Sequence, residues 1–77
     1  MTVIDARGHL CPVPSLRLRK AMEGLPARSR LALLATDSMA RIDVPYLMDE
    51  CGGRVVSIIE TDGVLTITVE TAAAPTD

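Results

Sequence analysis

Apolar residues recur along the chain with two different periods, and the change of period marks where strands give way to helices. Residues 2–6 form a short, mostly apolar run that predicts a first strand. From residue 12 the spacing becomes helical, with apolar side chains at Leu18, Ala21, Met22 and Leu25. Gly24 and Pro26 then act as stop signals, so a helix is predicted from Pro12 to about Glu23.

The middle of the chain predicts a strand and then an interrupted helix. Residues 31–35 are an unbroken apolar run, which is typical of a buried central strand. Beyond them, one helix face is formed by Ala40, Val44, Leu47, Met48 and Cys51. Because Pro45 lies inside this pattern, we expect a helical turn over residues 39–42 and a new helix capped by Asp43. Gly52 and Gly53 end that helix.

The last third of the chain predicts a hairpin. Residues 54–60 suit a strand, and Asp62-Gly63 is a strong signal for a two-residue hairpin turn. In residues 64–70 apolar and polar side chains alternate, which places Leu65, Ile67 and Val69 on the core face.

The predicted element order is therefore β-α-β-α-β-β. This order is typical of an α+β, two-layer sandwich, with a four-stranded mixed sheet and two helices on one face. The β-α-β part should be parallel and the final hairpin antiparallel. We expect one domain over residues 1–71 and a flexible C-terminal tail over residues 72–77.

Composition narrows the functional classes. The chain has 77 residues and a net charge of -2, so it offers no general basic face for direct contact with nucleic acid. No apolar run is long enough to span a membrane, and no secretory signal is evident. With two cysteines far apart, reduced thiols and a cytoplasmic location are expected. No cofactor is expected.

Cys11 is the candidate reactive residue. Pro12 suits the first helical position and favours extended dihedrals in the residue before it, so Cys11 is predicted to be the N-cap. Its sulfur would then lie at the positive end of the helix dipole. Pro12 and Pro14 remove two N–H donors there, which leaves Val13 as the main one and predicts only a modest lowering of the Cys11 pKa. The alternative to a reactive Cys11 is that it serves as a small, buried hydrophobic residue.

A dithiol mechanism is not favoured, because Pro14 stands where a C-x-x-C site needs its second cysteine. A lone thiol can instead hold a sulfur atom as a persulfide and pass it on. His9 could adjust the reactivity of the Cys11 thiol, or it could be a solvated loop residue. Cys51 is expected in the core rather than as a redox partner. A metal site made of these three residues would lack a fourth ligand.

Three cations lie on the predicted polar face of the first helix. Arg17, Arg19 and Lys20 either form a solvated helix face or draw an acidic partner towards Cys11. The sequence alone leaves both interpretations open.

With these residues the chain resembles the TusA/SirA-like family of small sulfur carriers. The resemblance covers residues 3–69. It rests on Asp5, Gly8, Leu10, Cys11-Pro12-Val13-Pro14, Arg19-Lys20, Thr36-Asp37, Asp43-Val44-Pro45 and Gly52. Many members have a second cysteine where Met48 stands and a Gly-His pair where Gly52-Gly53 stands, so roles of those residues do not carry over.

The resemblance implies that Cys11 accepts sulfane sulfur from a cysteine desulfurase or rhodanese-like donor and relays it to an acceptor protein. The routes it implies are tRNA thiolation, cofactor synthesis and sulfur oxidation. Supporting roles fall to Pro12, Val13, Pro14 and Asp37. Contacts with partners fall to His9, Arg17, Arg19 and Lys20. A redox-sensing regulatory domain that uses Cys11 is the alternative function.

Overall fold

The computed structural model describes residues 2–10 and 13–72 and confirms the predicted element order. The elements are β1 (Thr2–Ala6), α1 (Val13–Met22), β2 (Arg30–Ala35), α2 (Ala40–Cys51), β3 (Arg54–Thr61) and β4 (Val64–Glu70).

The four strands form one mixed sheet, as predicted. Their order is β1-β2-β4-β3, with β1 and β2 parallel and β4 antiparallel to both of its neighbours. The apolar strand β2 lies inside the sheet, and four of its six residues are buried. β1 and β3 are the edge strands.

Both helices pack on the same face of the sheet. The register places Leu33 of β2 between Ile4 of β1 and Ile67 of β4, and residues in register point to the same side. That side forms one core with Leu18 of α1 and with Val44 and Met48 of α2. On the opposite face the β4 threonines are only partly buried, as expected for a sheet that is covered on one side.

The β3–β4 hairpin follows its local signals. Asp62 and Gly63 have φ values of 51° and 79°, the left-handed pair that a type I′ turn requires. Along β4, Leu65, Ile67 and Val69 are buried, so the predicted alternation is confirmed.

The predicted break in the second helix is wrong. α2 runs continuously from Ala40 to Cys51 with Pro45 inside it, so Asp43 is a helical residue and not an N-cap. Pro45 removes only the N–H that would bond to the Arg41 carbonyl, and Arg41 is solvent-exposed near the start of the helix. Burial of Val44, Leu47 and Met48 against the sheet outweighs that loss.

The chain after β4 is tied to the loop before β2. The Thr71 N–H donates to the Ser29 carbonyl at 2.8 Å, and the Arg28 N–H donates to the Ala72 carbonyl at 3.2 Å. Residues 73–77 of the predicted tail lie outside the described residues, and the domain boundary stays a prediction.

Candidate functional site

The segment that carries Cys11 connects β1 to α1. The structure describes its two flanks, residues 7–10 and the helix from Val13, whereas Cys11 and Pro12 lie outside the described residues. Cys11 as N-cap and Pro12 as first helical residue therefore stay predictions. α1 ends at Met22, one residue before the predicted end.

The flank before Cys11 is held from three directions. The Gly8 N–H donates to Thr36 Oγ1 at 2.8 Å, which ties the segment to the residue that follows β2. The His9 N–H donates to the Ala6 carbonyl at 3.2 Å and closes a turn. Gly8 has a φ of 81°, a conformation that favours glycine. His9 itself is half-buried, and its contact with a partner stays a prediction.

Asp5 and Arg7 provide the third support. The Arg7 backbone N–H and Nε both donate to Asp5 Oδ1, and Arg7 Nη2 donates to Asp5 Oδ2 at 2.7 Å. The Arg7 hydrogen bonds hold the pKa of the Asp5 carboxyl well below its usual range. The lowered pKa keeps Asp5 ionised and paired with Arg7 at more acidic pH than an ordinary aspartate.

The flank after Cys11 begins the helix and is anchored by Pro14. The Val13 N–H donates to the Leu10 carbonyl at 3.0 Å, so a hydrogen bond joins the two flanks directly. This N–H was expected to be the main donor near the sulfur, but the Leu10 carbonyl already uses it. Pro14 is fully buried, while the Val13 side chain is exposed. The Ser15 hydroxyl is buried, with no hydrogen-bond partner among the described residues.

Asp37 lies beside this segment, at the same end of the sheet, because it follows β2 as the segment follows β1. Its Oδ1 accepts the Met39 N–H at 3.0 Å, and its carbonyl accepts the Ala40 N–H at 3.1 Å. Asp37 thus orders the first turn of α2. Because Thr36 bonds to Gly8, the structure brings this turn next to the loop that leads to Cys11. A direct role of Asp37 towards the thiol stays a prediction.

The three cations of α1 do not form one surface. Arg17 and Lys20 line a groove beside β1, whereas Arg19 lines a different cavity on the side of α2. Arg19 and Lys20 also lie in the last turn of the helix, about 9 Å or more along its axis from Val13. The helix therefore separates Arg19 from Arg17 and Lys20, and the contacts of these three cations with a partner stay predictions.

Large apolar side chains are exposed just before Cys11 and along one side of α2. Leu10 is 75% exposed, Ile42 63% and Tyr46 68%, with Met39 also exposed. The sequence already indicated this apolar side of α2, because residues 39, 42 and 46 follow helical spacing on a second side of the helix.

The prediction that Cys51 lies in the core is wrong. It is exposed, and it borders a cavity of about 480 Å³ together with Arg19, Met48 and Ala72. Cys51 is the last residue of α2, after the buried Leu47 and Met48, and it borders this cavity instead of packing in the core. Helical spacing correctly placed Cys51 on the same helix face as Met48, but it could not show that burial of this face ends before residue 51.

Within the described residues, no three His, Cys, Asp or Glu side chains come together in a way that could hold a metal ion. No helix there is long and apolar enough to cross a bilayer.

A family model described as sulfurtransferase TusA matches residues 2–71. The chain belongs to the TusA family. A relative from Archaeoglobus fulgidus, provisionally named a sulfur carrier protein, is 37% identical over 71 residues, which cover 91% of this chain and 92% of the relative. The sulfur carrier protein TusA of Pseudomonas savastanoi pv. phaseolicola is 34% identical over 55 residues, 71% of this chain and 66% of that protein.

The fold agrees with a solved member of the same group. The crystal structure of a SirA-like protein from Desulfitobacterium hafniense superposes with a TM-score of 0.82 at 28% identity, covering 94% of this chain and 99% of that one. The predicted α+β class is therefore confirmed, and the names of the TusA relatives support a sulfur carrier role.

Proposed function

We propose that Cys11 carries sulfane sulfur as a persulfide between two partner proteins. The Cys11 thiolate attacks the outer sulfur of a donor persulfide, so that a new S–S bond forms at Cys11 Sγ while the donor's S–S bond breaks and the donor leaves as a thiolate. An acceptor thiolate then attacks the outer sulfur on Cys11 and releases the Cys11 thiolate. Each step exchanges one S–S bond for another, so neither needs an oxidant.

The observation that carries this proposal is the anchoring of both flanks of Cys11. Gly8 is bonded to Thr36, and Val13 is bonded to Leu10, while the Leu10 and Val13 side chains remain exposed. A carrier needs such a segment, because its thiol must be presented to two different proteins without a large conformational change. The start of α1 adds the positive end of a ten-residue helix.

The donor we propose is a cysteine desulfurase or a rhodanese-like protein, and the acceptor is a protein of tRNA thiolation, cofactor synthesis or sulfur oxidation. These partners imply a cytoplasmic location. In this scheme the chain is a relay rather than a stand-alone turnover enzyme.

The test is intact mass spectrometry after incubation with a cysteine desulfurase and cysteine. We expect one adduct of about 32 Da on the wild-type chain, which a thiol reductant removes. The adduct should be absent in Cys11→Ser and present in Cys51→Ala. The second variant matters because Cys51 is exposed and could react with a small sulfane donor.

Two outcomes would refute the proposal. One is loading that persists in Cys11→Ser. The other is a wild-type chain that gains oxygen or forms a disulfide instead of a removable sulfur adduct, which would indicate the redox-sensing function.

A further inference from the structure

A groove runs between α1 and the edge strand β1, and it begins two residues after Cys11. Its volume is about 430 Å³, and it is lined by Ile4, Val13, Leu16, Arg17, Lys20 and Ala21. The groove therefore combines four apolar side chains with two cations.

The apolar part of the groove is unusually open to solvent. Leu16 is 57% exposed although α1 already buries Pro14 and Leu18 on its other side. Ile4 and Ala21 are only half-buried. Exposed apolar side chains that line one concave surface are typical of interaction sites.

Neither of the two cations forms an ion pair within the part of the chain that the structure describes. Among the described residues, Arg7, Arg30, Arg41 and Arg54 each form an ion pair with a carboxylate. No carboxylate of the described residues lies within 4 Å of the charged groups of Arg17 or Lys20. The Arg17 charge does act on the Asp5 carboxylate and helps to lower its pKa, but that carboxylate is already paired with Arg7. In a chain with a net charge of -2, two cations without an ion pair beside an apolar groove favour an acidic occupant.

The groove also borders a sheet edge. β1 is an edge strand, so its outer backbone groups, apart from the Asp5 carbonyl that accepts from Arg17, can pair with an added extended segment. Arg17 reaches over this edge, with Nη1 3.5 Å from the Asp5 carbonyl oxygen. An extended segment laid along β1 would therefore place its own side chains against both Arg17 and the apolar lining.

We infer that this groove binds an extended segment of a sulfur-exchanging partner protein, in which an apolar side chain is flanked by carboxylates. The inference rests on the proposed function, because the partner is the protein that must bring a sulfur atom to Cys11. The apolar side chain fits between Val13 and Leu16, and the carboxylates pair with Arg17 and Lys20. The segment would hold the partner within a few residues of Cys11 and leave the thiol free.

The first test is a peptide titration followed by two-dimensional NMR of the ¹⁵N-labelled chain. The probe is a blocked Asp-Leu-Asp-Leu-Asp peptide. The comparison peptides replace each Leu by Ser, or each Asp by Lys. We expect the first peptide to shift the amide signals of Ile4, Leu16 and Ala21, and the other two to bind at least about threefold more weakly.

Matched charge reversals then locate the effect. Arg17→Glu and Lys20→Glu should each weaken binding of the acidic peptide about threefold to fivefold. Arg28→Glu is the control, since Arg28 is another exposed arginine without an ion pair among the described residues and lies in the loop before β2. Leu16→Ser should weaken binding without any change of charge. Circular dichroism of each variant shows that it is folded.

The inference is overturned if the acidic peptide causes no shifts at millimolar concentration, if the shifts lie elsewhere, or if Arg28→Glu weakens binding as much as Lys20→Glu. It is also overturned if Lys20→Glu accepts sulfur from the desulfurase at the wild-type rate at low salt. Failure of the proposed function looks different, because then the wild-type chain itself does not load Cys11, whatever the peptide does.

Discussion

The two helices start at the same end of the sheet, where the parallel strands β1 and β2 end, but different hydrogen bonds hold the two starts. At α2 the bonds are local: Ala40, Arg41 and Ile42 donate to carbonyls three residues earlier, and Asp37 accepts the Met39 N–H. At α1 the local bonds from His9 to Ala6 and from Val13 to Leu10 are joined by a bond from Gly8 to Thr36, 28 residues away. Prolines at positions 12 and 14 also remove two local donors.

This difference separates the start of α2 from the helix start at which we propose a reactive thiol. The start of α2 is closed by its own residues and leaves few backbone groups for a ligand. The segment before α1 has local bonds as well, but it is also held by Thr36, which follows β2, and by the Asp5–Arg7 pair. Four variants test this comparison.

The largest effect is expected for Pro14→Ala. Pro14 is fully buried, so the change removes apolar contact and should lower the free energy of unfolding by about 1.5 kcal/mol. The restored N–H at the helix start should also lower the Cys11 pKa slightly. Urea denaturation and thiolate absorbance measure the two effects. An unchanged or raised Cys11 pKa would show that the missing N–H groups do not affect how easily the thiol ionises.

Asp37→Ala should come next, because it removes the acceptor that orders the start of α2. We expect a loss of about 1 kcal/mol in the free energy of unfolding, and a smaller loss for Asp37→Asn, which keeps an acceptor oxygen. If Asp37→Asn is as stable as the wild type but loads Cys11 more slowly, Asp37 acts on the site through its charge. Equal loading rates would restrict Asp37 to the helix start.

Thr36→Val should have a smaller effect on stability and a clear effect on transfer. It removes the oxygen that accepts the Gly8 N–H at an exposed position, which should cost about 0.5 kcal/mol of stability. We expect sulfur transfer to an acceptor to slow about threefold, while reaction of Cys11 with iodoacetamide changes little. Thr36→Ser keeps the hydroxyl and should restore the rate. A rate in Thr36→Val equal to the wild type would show that the bond does not position the loop.

The smallest effect is the acid dependence of the Asp5–Arg7 pair. Because the pKa of Asp5 is lowered in the folded chain, its contribution to stability is fully present above the unfolded pKa of about 4. That contribution is then lost progressively as the pH falls towards the folded pKa. Thermal melts from pH 6 to pH 2 should show the wild type losing its advantage over Asp5→Asn. An advantage that does not shrink below pH 4 would contradict the assignment.

The sequence by itself determined the features that depend on a few neighbouring residues. The alternation along β4 requires only a period of two, and Asp62-Gly63 can adopt the left-handed dihedrals of the hairpin turn without help from the rest of the chain. Element order and the α+β class followed from such local signals. Cys11 was singled out in the same way, from the prolines beside it and the change of period.

Only the tertiary structure decided which residues of each apolar pattern are buried and which other elements they contact. Cys51 shares the helix face of Met48 but lies at the end of α2 beside a cavity, so its exposure depends on what packs there. Pro45 stays helical because core packing outweighs one lost hydrogen bond. The Gly8–Thr36 bond and the separation of Arg19 from Lys20 depend on strand pairing and on the orientation of α1. Spacing along a sequence fixes the face of an element, but the element's neighbours are fixed only when the layers pack.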